Sequence, residues 1–342
     1  MIADTTSRLQ RSEHESTAPL LSIVTTSFAA ERLNDACRLL ESVREQNYRS
    51  IQVVFVAERS RELYEGLTRY VEMQGMSNVS VVFNQGEPGA SASRNVGLKH
   101  AQGEYVAIVD DDVVLSADWA EEMVRTYADA SIVGVTGPAL PRWEDDRMRW
   151  FPDEFSWLCG CTLWNDWGEE TREIRHVGGM NCSFRREALE RAGGYSRSLK
   201  TLQEGGWLQP TGEEVEFSLR VKGITGGRIV FNPRVRVHHM VHWEKLRMSV
   251  IAKRAFRMGY LRHMAKRLYP DDGQAESASK TEYALLRRIL LRLLPEILKT
   301  APVQPGIAWR KLSVSIVALA FTSLGYLVYT LKPFTPQARR IG

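Results

Sequence analysis

Cysteine is scarce in this chain: four occur in 342 residues (Cys37, Cys159, Cys161 and Cys182), and none forms a CxxC pair. A chain of this length builds its core without disulfide staples, so the thiols read as free in a reducing compartment. Cys159-Gly-Cys161 has no second pair to complete a metal tetrad. An apolar leader is also missing. Residues 1–18 are polar, are expected to be disordered, and leave the body expected in the cytoplasm. No internal repeat and no low-complexity segment occurs, which excludes solenoids and fibrous arrays. Long charge-free runs are absent apart from one, residues 312–331.

What is present is an ordinary globular composition, 44% hydrophobic and 25% charged, enough for one large or two ordinary domains. The net charge of +4 hides an asymmetry. Residues 244–342 hold 18 Lys and Arg against 6 Asp and Glu, whereas residues 1–243 hold 27 against 35. An acidic body with a basic tail suggests a tail that faces an anionic surface. Because the tail also turns apolar, a membrane is favoured over nucleic acid.

The first half alternates β-branched runs with amphipathic stretches. Strands are expected at 19–27, 51–56, 79–83, Tyr105–Val109 and Ile132–Thr136, with helices at 31–46, 60–74, 92–100 and 117–130. That order predicts an α/β fold: a mostly parallel, Rossmann-like sheet with helices on both faces. Residues 139–176 break the pattern with Trp143, Trp150, Trp157 and Trp164 beside Phe151 and Phe155. Tryptophan at this density either packs an irregular excursion or lines a cleft. Short elements resume with a strand after Gly178-Gly179, helices at 186–192 and from 213, and strands at Arg228–Phe231 and 235–237. The resulting layout is a tail (1–18), a catalytic-type domain (19–243), a basic juxtamembrane helical region (244–310), a transmembrane or membrane-embedded helix (311–332) and a tail (333–342). Within it, 271–280 is a polar linker and 285–298 is amphipathic and arginine-bearing, the composition of an interfacial helix. About 20 apolar residues suffice to cross a bilayer, and the excess of basic residues before 312–331 keeps the body cytoplasmic by the positive-inside rule.

The chemistry concentrates at residues 84–112. A glycine-rich loop leads into Arg94-Asn95, then a short apolar strand ends on Asp110, Asp111 and Asp112. Three carboxylates at a strand tip need a cation or hydrogen-bonding ligand, and strand tips are where α/β sheets bind ligands. Alternation in a strand lets Asp110 and Asp112 converge while Asp111 points away. Two hard oxygen ligands suit Mn²⁺ or Mg²⁺ bridging a diphosphate. Arg94 at a helix start suits phosphate. Glu213, Glu214 and Glu216 open a helix, where the dipole favours carboxylates; one of them as a general base is the sharper alternative. One of His238, His239 and His242 is a candidate third metal ligand.

Taken in order, Ser22-Ile-Val-Thr-Thr26, Asn84-x-Gly86 to Arg94-Asn95, Gly103-Glu-Tyr105 with Asp110–Asp112, Gly179-x-Asn181 to Phe184-Arg185, Gly193-Gly-Tyr195 and Gly212-Glu-Glu-x-Glu216 to Arg220 resemble the family 2 inverting glycosyltransferases of the GT-A fold. The resemblance covers residues 19–243. Glu31-Arg32-Leu33, Asp118-Trp119, the Phe151 to Gly160 segment and Asn232-Pro233 to His239 resemble more closely the glucosyl-dolichyl phosphate glucuronosyltransferase-like group. The resemblance implies a nucleotide-sugar donor, UDP-linked, and a lipid-linked or glycan acceptor. Thr25 and Glu58 are then expected at the nucleoside, Glu58 standing where many members have Asp. Arg94, Asp110 and Asp111 are expected in donor binding, and Asp112, Asp110 and His239 at the metal. Glu214 falls at the general base position, with Glu213 as alternative, and Trp157 and Asn181 are expected on the acceptor side. Arg142, Arg175 and Arg185 are candidate partners for a hexuronic acid donor. The Gln-x-x-Arg-Trp motif of processive members is missing, since Arg220 is followed by Val221-Lys-Gly223, which implies one sugar per acceptor. Two rivals use similar residues: a sugar nucleotidyltransferase, which lacks its basic glycine-rich loop after the first strand here, and a membrane-tethered sugar-binding protein with a degenerate site.

Overall fold

The computed structural model describes residues 18–163, 168–199, 207, 212–268 and 278–333. Most of both tails, Trp164 and most of the 271–280 linker lie outside these.

Strand β1 (Leu21–Ser27) is followed by α1 (Leu33–Arg44), β2 (Ile51–Glu58), α2 (Arg61–Met73), β3 (Val79–Asn84), α3 (Ala90–His100) and β4 (Tyr105–Val109). Next come β5 (Val113–Leu115), α4 (Trp119–Thr126), β6 (Ile132–Thr136), β7 (Ala139–Trp143), β8 (Arg172–Ile174), β9 (Asn181–Arg185) and α5 (Arg186–Ala192). The domain closes with α6 (Glu213–Thr225), β10 (Arg228–Phe231) and β11 (Val237–Val241). The main sheet runs β3-β2-β1-β4-β9-β6-β10-β8. Pairs β2–β3, β1–β2, β1–β4 and β6–β10 are parallel, while β9 is antiparallel to both neighbours. The expected α/β sheet is therefore present, with helices on both faces.

Side-chain alternation explains the two layers. Val53, Phe55 and Ala57 of β2 face one core with Leu39, Leu63 and Trp119, whereas Val54 and Val56 face the other with Phe184 and Phe217. Strands buried on both faces read as continuous apolar runs, which is how β1, β2 and β4 look in sequence.

A second sheet, β5-β11-β7, stands beside the first. The expected strand at 235–237 is displaced to Val237–Val241, so His238 and His239 lie within a strand rather than after it. Pairing with β5 puts His239 opposite Val113, one residue past Asp112, and the Met240 N–H donates to the Asp112 carbonyl.

The C-terminal region comprises α7 (Met248–Leu268), α8 (Ala278–Arg288), a π-helical turn (Ile289–Leu293), α9 (Leu294–Thr300) and α10 (Pro305–Leu331). These helices rest on the aromatic excursion. Met148, Phe151, Phe155 and Leu158 share one cluster with Ile251, Leu285, Ile289, Leu293, Val314 and Ala318. Helices α7 and α10 run side by side at backbone contact. A Cβ at Gly259 would sit 1.9 Å from the Thr322 carbonyl oxygen, and one at Gly325 1.9 Å from that of Phe256. Only glycine permits this approach.

Candidate active site

The Asp110–Asp112 turn leaves the tip of β4 and enters β5, and each carboxylate has a different neighbour. Asp110 is half-exposed and lies 3.4 Å from Arg94. Asp111 is buried and ion-paired with Arg32. Burial pushes its carboxyl up to about 7, against the pull of Arg32. Asp112 is buried as well. Burial alone would raise it, but His239 and Lys245, joined by Arg32, outweigh that and hold it well below the usual carboxylate range. The contacts are His239 Nε2 at 3.1 Å, Lys245 Nζ at 2.9 Å and Arg32 at 3.3 Å.

His239 is thus the histidine that the fold selects. His242 instead lies 3.1 Å from Asp35, outside this group, and His238 is half-buried on the same strand. One oxygen each from Asp110 and Asp112 and one His239 nitrogen lie within 4.8 Å of one another. Two hard oxygens and an imidazole with open positions suit Mn²⁺ or Mg²⁺. Cys161 Sγ lies 3.6 Å from His239 Nδ1, leaving Nε2 toward the carboxylates.

Arg94 joins the two halves of the cleft. It projects from α3, is buried, and reaches Glu213 at 2.9 Å as well as Asp110. Gly212, at φ +96°, turns the chain so that α6 starts with Glu213 inside and Glu214 at the surface of the cleft. Burial, and next the neighbouring Glu214, push the Glu213 carboxyl up to about 8 despite Arg94. One Glu213 oxygen has no hydrogen-bond partner. Glu214 is half-buried and packs on Gly179, where a Cβ would meet its carboxyl carbon at 3.5 Å.

Glu213 gives a pH signature. Its folded value of about 8 exceeds the ordinary 4.5, so over that interval the folded chain holds a proton that the unfolded chain releases. The associated stability is complete below pH 4.5 and is lost as pH rises through 8. Glu213→Gln should flatten the fall of melting temperature across that window. A slope identical to wild type would show that Glu213 titrates normally.

Other expected residues fall as follows. The Thr25 hydroxyl is buried in β1 without a partner. Glu58 accepts from the Gly89 N–H at 2.8 Å and from Ser93 Oγ at 2.7 Å, so its carboxylate holds the glycine-rich loop. Asn181, expected on the acceptor side, is fully committed inside. Its Oδ1 accepts from Trp119 and its Nδ2 donates to the Val235 carbonyl, both within 2.9 Å, and it is 1% exposed. A side chain so saturated positions the turn after β6 and does not reach an acceptor. Trp157 is half-buried under the C-terminal helices, with Arg262 over its ring at 5.4 Å. Arg185 binds the carbonyls of Tyr127 and Ile132 at the far end of β4, which removes it as a sugar contact. Glu216 pairs with Arg220, which in turn holds the Gly194 carbonyl.

Two cations of the site escaped sequence reasoning. Lys245 is one of 18 basic residues in the tail, and no local signal sets it apart. Arg32 lies in the quoted Glu31-Arg32-Leu33 segment, but only folding shows that it meets Asp111 and Asp112.

Known proteins agree with this architecture. The profile of "Glycosyl transferase family 2" matches residues 22–193. The chain is 29% identical over 315 residues to the glucosyl-dolichyl phosphate glucuronosyltransferase of Haloferax volcanii, spanning 92% of this chain and 97% of that one. It is 29% identical over 171 residues, about half of each chain, to the succinoglycan biosynthesis protein ExoM of Rhizobium meliloti. Among solved structures it is similar to the mannosyltransferase PcManGT from Pyrobaculum calidifontis in complex with GDP-Man and Mn²⁺, with TM-score 0.59, 18% identity, and coverage of 96% of this chain and 94% of that one. It is also similar to S. aureus TarS 1-349 with UDP, with TM-score 0.50, 13% identity and 92% of each chain covered. These two likenesses establish the GT-A fold. With its profile match over half its length, the chain belongs to glycosyl transferase family 2, and it is a glycosyltransferase.

Proposed function

We propose that this enzyme transfers one hexose or hexuronic acid from a UDP-linked sugar to a lipid-linked polyprenyl phosphate or related glycan, at the cytoplasmic face of a membrane, with inversion. The observation that carries the reading is the convergence of Asp110, Asp112 and His239 beside Arg94, with Glu214 across the cleft. Asp110, Asp112 and His239 would hold Mn²⁺ or Mg²⁺, which supplies positive charge against the leaving diphosphate. Arg94, held by Glu213 and Asp110, adds a fixed positive charge next to that set. Thr25 and Glu58 lie on the nucleoside side, Glu58 acting through the loop it anchors. Glu214 takes the proton of the acceptor hydroxyl as its oxygen attacks the anomeric carbon in line, and a single displacement inverts the centre. The length shared with the Haloferax volcanii relative supports a lipid phosphate acceptor. Arg142 and Arg175 remain as cations for a sugar carboxylate.

The test is a thermal-shift and hydrolysis screen of UDP-, GDP- and dTDP-sugars with Mn²⁺. A UDP-sugar should stabilise the protein and be slowly hydrolysed only with metal present. Stabilisation by a GDP- or dTDP-sugar alone would overturn the UDP assignment. Hydrolysis unchanged by chelation would overturn the metal.

A further inference from the structure

The helices after α7 carry a surface that the catalytic sheet does not use. On α10, Trp309, Ile316, Leu324, Leu327 and Leu331 are exposed and recur at spacings that place them on one side of the helix. The opposite side, with Val314, Ala318, Gly325 and Tyr329, is buried. Across the π-turn, Leu286, Leu290 and Leu298 form a second exposed stripe beside the buried Leu285, Ile289, Leu293 and Ile297. Apolar area this continuous marks an interaction face. Arg287, Arg292, Lys299, Arg310 and Lys332 are exposed on the same helices, with Glu296 as an acidic counterpart. A basic rim repels a second copy of this chain and complements anionic lipid.

Helix α10 is long and apolar enough to cross a bilayer by composition. Its packing argues otherwise. It runs beside α7 in the same direction: Tyr260 meets Tyr329 edge-on at 4.9 Å, and His263 stacks on Tyr326 at 3.9 Å. Helix α7 carries four arginines and two lysines and is fixed to the body, where Arg254 donates to the Leu158 carbonyl. If α10 crossed the membrane, α7 would enter the hydrocarbon beside it, where each charge is unfavourable. Lying flat, α10 turns its apolar side to lipid and keeps α7 in water.

We propose that residues 278–332 form a platform lying in one leaflet of an anionic membrane, with α10 in the plane of the bilayer rather than across it. This rests on the membrane-surface reading above. Two single variants of the full chain test it in a bacterial host: Met73→Cys on the exposed surface of α2 and Lys332→Cys just after α10. The native thiols are buried or half-buried, so an impermeant maleimide reports the added one. Both variants should be labelled in inverted membrane vesicles and neither in right-side-out vesicles. Lys332→Cys labelled only in right-side-out vesicles would mean that α10 crosses, overturning the platform but not the membrane association. Lys332→Cys unlabelled in both would mean an embedded end and overturns it equally. The purified wild type should float with vesicles of phosphatidylcholine and phosphatidylglycerol and be released by salt. Failure to float, with a dimer in solution, would overturn both the platform and the membrane reading, while donor hydrolysis would still report on the transferase.

Discussion

Asp112→Asn should abolish sugar transfer while the protein stays folded. Asp112 is the carboxylate on which three cationic or titratable groups converge, and it is nearly inaccessible to water. Removing it with alanine would leave Arg32 and Lys245 facing a void, and breaking a buried ion pair costs about 3–5 kcal/mol. An inactive Asp112→Ala protein would therefore be ambiguous. Asparagine keeps the shape and one acceptor oxygen for Lys245 but gives up the charge. The expected result is a near-native melting temperature, a much weaker Mn²⁺ titration and no transfer. Wild-type turnover by Asp112→Asn with the true donor would remove Asp112 from the metal set. Weak metal binding with normal turnover would remove the metal from the reaction instead.

Glu214→Gln should lower turnover by about 10²–10⁴-fold, the usual range for a lost general base, with donor affinity unchanged. The structure separates the two adjacent glutamates by environment. Glu213 is interior, bonded to Arg94, and its pKa of about 8 keeps it protonated at neutral pH. A protonated acid cannot accept the acceptor proton. Glu214 lies on the cleft side against Gly179. Glu213→Gln should therefore retain much of the rate, its main effect falling on how firmly Arg94 is held. If Glu213→Gln is dead and Glu214→Gln turns over normally, the roles are exchanged.

The sequence made the sheet readable because its information is local. Alternation in β1, β2 and β4 needs only neighbours a few residues apart, and Asp110–Asp112 announced itself at the end of such a run. What stayed hidden depended on distant pairing. Lys245 and Asp112 are 133 residues apart, and nothing near Lys245 distinguishes it from the solvated lysines around it. His239 could not be chosen over His242 until β11 paired with β5. Asn181 sits in a strand-entry turn that looks suited to a ligand, but Trp119, 62 residues earlier, claims its amide. The long apolar helix was legible as apolar. Its partner was not, because the glycines that allow contact are 66 positions apart along the chain.

The π-helical turn at Ile289–Leu293 has a consequence for how this region can change over evolutionary time. Buried apolar residues at four-residue intervals drift by about 40° per step around a regular helix. The wider turn absorbs that drift and keeps Leu285, Ile289, Leu293 and Ile297 against the same bed. Deleting one residue within the turn would restore regular winding and rotate all that follows by about 100°. Leu298 would swing inward and Ile297 outward. Substitutions that preserve the apolar pattern can accumulate along this segment, but its length is frozen.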